Sequence, residues 1–153
     1  TEKICASITD DVVVAANYNC PQQLVISGSE TGLAKAIELL KEAGAHRTMM
    51  LNVGGAFHSP LMQPAKEELT AAINTYTFHQ PQCPIYQNVN GTASIEPNEI
   101  RQNIIDQLTK PVLWTQTIQN MVQDGANQFA EFGPGNTLQG LIKRIDSSII
   151  FID

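Results

Sequence analysis

Long apolar runs, basic clusters and paired cysteines are all missing from this sequence, and each absence narrows what the chain can be. No apolar stretch approaches the ~18 residues of a membrane span; the longest, around Val12–Ala16, is strand-sized. Nine lysines and arginines stand against fifteen acidic residues, for a net charge of −6. They form no cluster, which argues against nucleic acid, because phosphate binding needs concentrated positive charge. Three cysteines, Cys5, Cys20 and Cys83, are odd in number and widely spaced, so neither a disulfide framework nor a zinc site is expected. A reduced, cytoplasmic chain is expected instead. The opening Thr1-Glu2-Lys3-Ile4 has neither the basic nor the apolar region of a signal peptide. Gly-x-Ser-x-Gly, His-x-x-Glu-His and Cys-x-x-Cys do not occur, and Gly133-Pro134-Gly135 lacks the Gly-Lys-Ser/Thr of a phosphate loop.

What is there is an ordinary globular composition: 153 residues, 42% hydrophobic, 16% charged, with ten glycines. A chain of this length can hide ~68–70% of its unfolded surface. Glu2–Ile8 is weakly helical, and Asp11–Asn17 and Gln23–Ser27 are β-rich runs joined by a connection of hairpin length. Glu30–Ala43 carries Leu33, Ile37 and Leu40 on one helical stripe, with Ser29 as N-cap and Gly44 as stop. Arg47–Val53 has strand composition. The order helix, strand, strand, helix, strand is a ferredoxin-like unit without its first strand. Beyond Gly54-Gly55, helices are expected from Ser59-Pro60 to about Asn74, over Pro97–Leu108, over Trp114–Gln123 and from Asn136 to about Ile145. Short strands are expected at Pro84–Asn88, Gln128–Phe132 and Ile149–Ile152. Helices alternating with short apolar strands point to an α/β fold with a parallel sheet.

One segment has chemical promise: Gly54-Gly55-Ala56-Phe57-His58-Ser59-Pro60-Leu61-Met62. His58 follows a strand end and precedes a helix start, and the flanking glycines allow close backbone approach. A histidine so placed suits general-base chemistry; it also suits plain helix capping. His46 and His79 lie in polar, turn-like surroundings.

Gly-Ala-Phe-His-Ser-Pro-Leu-Met resembles the active-site histidine segment of malonyl-CoA:acyl-carrier-protein transacylases and related acyltransferase domains. Further landmarks follow the family order: Asn17-Tyr18-Asn19-Cys20-Pro21-Gln22-Gln23-Leu24-Val25-Ile26-Ser27-Gly28, Asn88-Val89-Asn90-Gly91, Gln107-Leu108 with Pro111-Val112 and Trp114, and Glu131-Phe132-Gly133-Pro134-Gly135-Asn136 with Leu138 and Gly140-Leu141. The resemblance runs nearly end to end but covers only the family's later, C-terminal half. The Gly-His-Ser-x-Gly nucleophile turn and the arginine for the substrate carboxylate lie upstream in the family and are not among these residues.

The resemblance implies a fold in two parts: a ferredoxin-like small subdomain at residues 1–54, truncated at its N-terminus, and at residues 55–153 the C-terminal part of an α/β-hydrolase-like parallel-sheet subdomain. It implies transfer of a malonyl group from malonyl-CoA to the phosphopantetheine thiol of acyl carrier protein through a malonyl-serine, in fatty acid biosynthesis. His58 matches the base. Gln107 matches the position whose backbone carbonyl orients the imidazole, although its side chain reads equally as a surface amide ending a helix. Phe57 matches a position tied to acyl-group choice, with plain core packing as the alternative. Asn17 and Asn19 match a cleft lining, or are turn residues. No cofactor is implied. Acyl carrier protein, malonyl-CoA and the N-terminal half are the partners implied, neither nucleic acid nor a membrane is expected, and this chain alone is expected to be inactive. A polyketide acyltransferase, or a non-catalytic carrier-docking fragment, are the alternatives.

Overall fold

Helix α1 (Glu2–Ser7) leads into a hairpin of β1 (Val13–Cys20) and β2 (Gln23–Gly28), over which α2 (Glu30–Glu42) packs. These elements come from a computed structural model that describes residues 1–152. The pairing of β1 with β2 is antiparallel, from Val13 opposite Gly28 to Cys20 opposite Gln23, with irregularities between Ala15 and Asn17 and between Tyr18 and Cys20. The strand therefore continues through Tyr18, Asn19 and Cys20, and the turn shrinks to Pro21-Gln22, shorter than the sequence suggested. Gly28 is dictated by crowding, since a Cβ there would lie 2.0 Å from the Val12 carbonyl oxygen. The expected cap of α2 forms: Ser29 Oγ accepts from Gly32 N at 3.0 Å. The Ser29 and Thr31 hydroxyls both donate to the Asp11 carboxylate, which anchors the helix to the start of the hairpin. Gly44, at φ 85°, ends the helix as expected. Cys5, Ile8, Val13 and Ala36 form the core beneath it, with Ile26 and Leu33 at its edge.

The strand expected at Arg47–Val53 does not form; residues 47–53 have no regular structure. Met49, Met50, Leu51 and Val53 are each at least 45% exposed. Strand composition describes a good fit to a pleated, half-buried surface, and it makes a strand only where a neighbour supplies the ladder. No such neighbour adjoins this segment among the described residues, so four of the five elements expected for the ferredoxin-like order are present.

A 3-10 turn at Pro60–Met62 runs into α3 (Gln63–Ile73), β3 (Ile85–Tyr86) pairs with β4 (Ala93–Ser94), and α4 (Pro97–Asp106) packs on α3. Then come α5 (Trp114–Gln123), β5 (Gln128–Phe129), α6 (Thr137–Ile145) and β6 (Ile150–Phe151). Parallel pairing, expected for the strands beyond Gly54, is confined among the described residues to β5 with β6 and to one bridge from Asn17 to Val112. The reason is connection length: α6 gives the β5–β6 link the span a parallel crossover needs, whereas the short 87–92 link permits only an antiparallel turn-back. Ile118, Ile142 and Ile149 form a second core, sealed by Trp114, Met121, Val122 and Phe129. Strand β1 joins the two halves. Val112 N donates to Ala16 O at 2.8 Å, Tyr18 N donates to Val112 O at 2.8 Å, and Thr115 Oγ1 donates to Tyr18 O at 3.0 Å. No helix among the described residues is long and apolar enough to cross a membrane.

Candidate active site

His58 is the only non-glycine residue with positive φ among the described residues, at 60°. The left-handed region costs an L-residue about 1–2 kcal/mol, because Cβ crowds the following carbonyl. It persists where surrounding contacts over-determine it, and here they do. Ser59 is wholly buried; its Oγ donates to Ala56 O at 2.6 Å and accepts from Leu61 N at 3.2 Å. That hydroxyl brackets the turn from both sides and caps the helical run that follows. The His58 amide donates to Leu108 O at 3.1 Å.

The imidazole is held by the same turn. Nδ1 lies 2.7 Å from Gln107 O and 3.2 Å from Lys110 O. Gln107 is the C-cap of α4, and the Thr109 and Lys110 amides turn back onto Asp106 O at 3.1 and 3.0 Å. The carbonyls beyond Asp106 are thereby left outside the helical ladder and available to other donors. A carbonyl can only accept, so Nδ1 carries the proton. In the neutral ring that tautomer leaves the Nε2 lone pair free to take a proton from a reacting group. The residue as a whole is half-buried.

The other residues singled out from sequence are distributed around this turn. Gln107 is in direct contact with His58 through its backbone. Phe57 is not core: it is 48% exposed, and its ring folds over Gly55, where an added Cβ would lie 3.5 Å from Phe57 Cζ. Asn17 lies on β1 opposite Val112, on the same 107–113 segment that holds the histidine. Asn19 is two residues further along β1 and half-buried; neither carboxamide hydrogen-bonds another protein group among the described residues. His46 and His79 are exposed.

Sequence reasoning missed an ion cluster beside the site. Asp106, with 13% of its side chain exposed, accepts from Lys66 Nζ at 2.7 Å and Lys110 Nζ at 2.9 Å, and from Gln102 Nε2 at 3.2 Å. Burial pushes its carboxyl upward, but the hydrogen bonds from Lys66 and Lys110 outweigh that and hold it below the usual range. Lys110 lies beyond both the expected helix end at Leu108 and the observed end of α4 at Asp106, and Lys66 lies forty residues from Asp106, so neither partner carried a signal. Ser59 was legible only as a cap. A second carboxylate shapes the glycine-rich turn: Glu131 accepts from Leu138 N at 3.1 Å and Gln139 N at 3.0 Å, the first turn of α6. No group of three or more His, Cys, Asp or Glu among the described residues is placed to hold a metal ion.

Comparison with known proteins bears on the whole chain. Residues 1–148 match the family model described as the acyl transferase domain. The malonyl CoA-acyl carrier protein transacylase of Haemophilus influenzae is 42% identical over 135 residues, which cover 88% of this chain and 43% of that protein. The crystal structure of malonyl-CoA:acyl carrier protein transacylase from Xanthomonas oryzae superposes with a TM-score of 0.93 at 39% identity, over 98% of this chain and 48% of the other. A type II polyketide acyl-carrier protein in complex with its malonyl-transacylase matches with the same TM-score at 33% identity, covering 98% and 49%. The chain spans about half the length of the relatives it matches.

Proposed function

The chain belongs to the acyl transferase domain family, and from that premise we propose that it forms the histidine-bearing half of a malonyl-CoA:acyl-carrier-protein transacylase of fatty acid biosynthesis, working in the cytoplasm. The observation that carries the reading is the 2.7 Å contact between His58 Nδ1 and the Gln107 carbonyl. A neutral base with its far nitrogen free is what acyl transfer to a hydroxyl and then to a thiol requires.

In the first half-reaction His58 Nε2 takes the proton of a serine as its oxygen attacks the malonyl thioester carbon. The carbon–sulfur bond breaks, and the leaving thiolate of coenzyme A receives that proton. In the second, His58 takes the proton of the phosphopantetheine thiol of acyl carrier protein. Sulfur attacks the malonyl-serine ester, the carbon–oxygen bond breaks, and the proton returns to the serine oxygen. The serine and the group that binds the malonyl carboxylate come from outside these residues, so the chain alone is inactive. No cofactor takes part. Gln107 acts through its carbonyl in place of a triad carboxylate. Phe57, half exposed above Gly55, borders the acyl group, and Asn17 and Asn19 border the cleft.

The two separate cores support a division near residue 54, with a ferredoxin-like part at 1–54 and the later part of an α/β-hydrolase-like subdomain at 55–153. The exposed apolar side chains of Met49, Met50, Leu51, Val53, Phe57 and Leu61 support docking of the nucleophile-bearing half beside His58. With a net charge of −6, this half offers no general attraction to an acidic carrier, so any steering is local. A polyketide acyltransferase is the second reading, supported by the likeness to the polyketide transacylase complex.

The test is malonyl transfer to acyl carrier protein by the protein that carries this chain together with its nucleophile. His58→Ala should lower transfer by at least about 100-fold, the usual contribution of a general base, while Gln107→Ala costs less than about tenfold. Undiminished transfer by His58→Ala would sink the reading.

A further inference from the structure

Asp106 has no part in the chemistry above, yet it is the most enclosed of the ion-paired carboxylates among the described residues. Exposed ion pairs are worth little, and its bond to Lys110 alone would be unremarkable. Lys66 changes the picture. It lies on α3, the helix that starts just beyond His58, and it reaches both Asp106 Oδ1 at 2.7 Å and Thr109 Oγ1 at 3.4 Å. Gln102 supplies a further donor to Asp106 Oδ1 from the preceding turn of α4.

The cluster therefore spans the two pieces of backbone whose separation sets the imidazole contacts. On one side are His58 and α3; on the other is the 107–110 turn, whose carbonyls of Gln107, Leu108 and Lys110 all face His58. Apart from those contacts, Lys66 supplies the only side-chain hydrogen bonds from α3 to the 106–110 turn among the described residues. We propose that Asp106 is a positioning residue for His58, its carboxylate clamping α3 to the 107–110 turn so that the Gln107 carbonyl stays within reach of Nδ1. The inference rests on the reading of His58 as the proton-transferring group. It adds a residue that acts on the imidazole from a distance, without touching substrate.

The experiment reads the ring and not the activity. In protein carrying this chain with 15N-labelled histidine, ring 15N–1H correlation spectra at alkaline pH report which nitrogen holds the proton. The parent should show His58 in the Nδ1–H form. Asp106→Asn and Lys66→Met, which open the clamp from opposite sides, should each raise the Nε2–H fraction about fivefold, the size of one modest hydrogen bond. The double variant should go no further than the larger single change, because both act through one contact. Asp10→Asn, which breaks the exposed pair with Lys35, should leave the ring spectrum unchanged. If Asp106→Asn does not fold, Lys66→Met decides. Folded variants with the parent's ring spectrum would overturn the clamp and leave the proposed function standing. Unfolding of both variants would also overturn it, by making the cluster a determinant of the fold and not a local tie. A parent ring already in the Nε2–H form would overturn the reading of His58 itself.

Discussion

Position 58 should invert the ordinary ranking of alanine and glycine. At φ 60° an alanine keeps the Cβ that makes the left-handed region costly by about 1–2 kcal/mol, and glycine removes it. Against that, glycine gives the unfolded chain more freedom, which costs about 0.4–1 kcal/mol. The balance favours His58→Gly over His58→Ala by about 0.5–1 kcal/mol. In the interior of α3, the same comparison at Ala65 should favour alanine by about 0.5–1 kcal/mol. The native histidine carries the strain but regains about 1 kcal/mol through its Nδ1 hydrogen bond to Gln107. It should therefore exceed alanine by that amount and lie close to glycine. Urea unfolding checks this. With a slope of about 2 kcal/mol/M, the midpoints of the His58→Gly and His58→Ala variants should differ by about 0.3–0.5 M. An alanine variant as stable as the glycine variant would refute the claim that this backbone is strained and held by its neighbours. In the protein that carries this chain together with its nucleophile, both variants should lose the proposed acyl transfer to the same extent, which separates the function of the side chain from the stability of the turn.

Two other perturbations test the frame. Gly28→Ala puts a Cβ 2.0 Å from the Val12 carbonyl oxygen, and backbone cannot yield cheaply; a loss of about 3 kcal/mol or more in denaturant titration is expected. Asp106 titrates below its ordinary range in the fold, so its contribution to stability is complete above the unfolded carboxyl value, about pH 3.9, and is lost as pH falls through the depressed folded value. Parent protein should thus lose stability faster than Asp106→Asn does as pH falls below about 4; parallel curves would contradict the pairing with Lys66 and Lys110.

The helices were legible because their information is local. Ser29, Gly44 and the apolar stripe of α2 need no distant partner to be read, and α5 placed Ile118 inward as its period required. The histidine turn was legible for the same reason, and family resemblance located its carbonyl partner 49 residues away. What could not be read depends on contacts formed at a distance. Residues 47–53 have the composition of a strand but no adjoining ladder among the described residues, while β1 runs past its expected end because two register shifts let Tyr18 and Cys20 still pair with Leu24 and Gln23. The two-residue strand β4 is too short for any period to show. Nothing in the sequence singles out Lys66; only the packing of α3 on α4 brings it to Asp106.

The carboxylate at the glycine-rich turn decides what this end of α6 can bind. A Gly-Pro-Gly turn ahead of a helix looks like a natural seat for phosphate, because free amides and the helix dipole both attract anions. In α6 those amides, at Leu138 and Gln139, are already taken by Glu131. The chain supplies its own anion and so seals this end of the helix against foreign ones. A phosphate arriving at this end of α6 would meet the Glu131 carboxylate in place of the Leu138 and Gln139 amides.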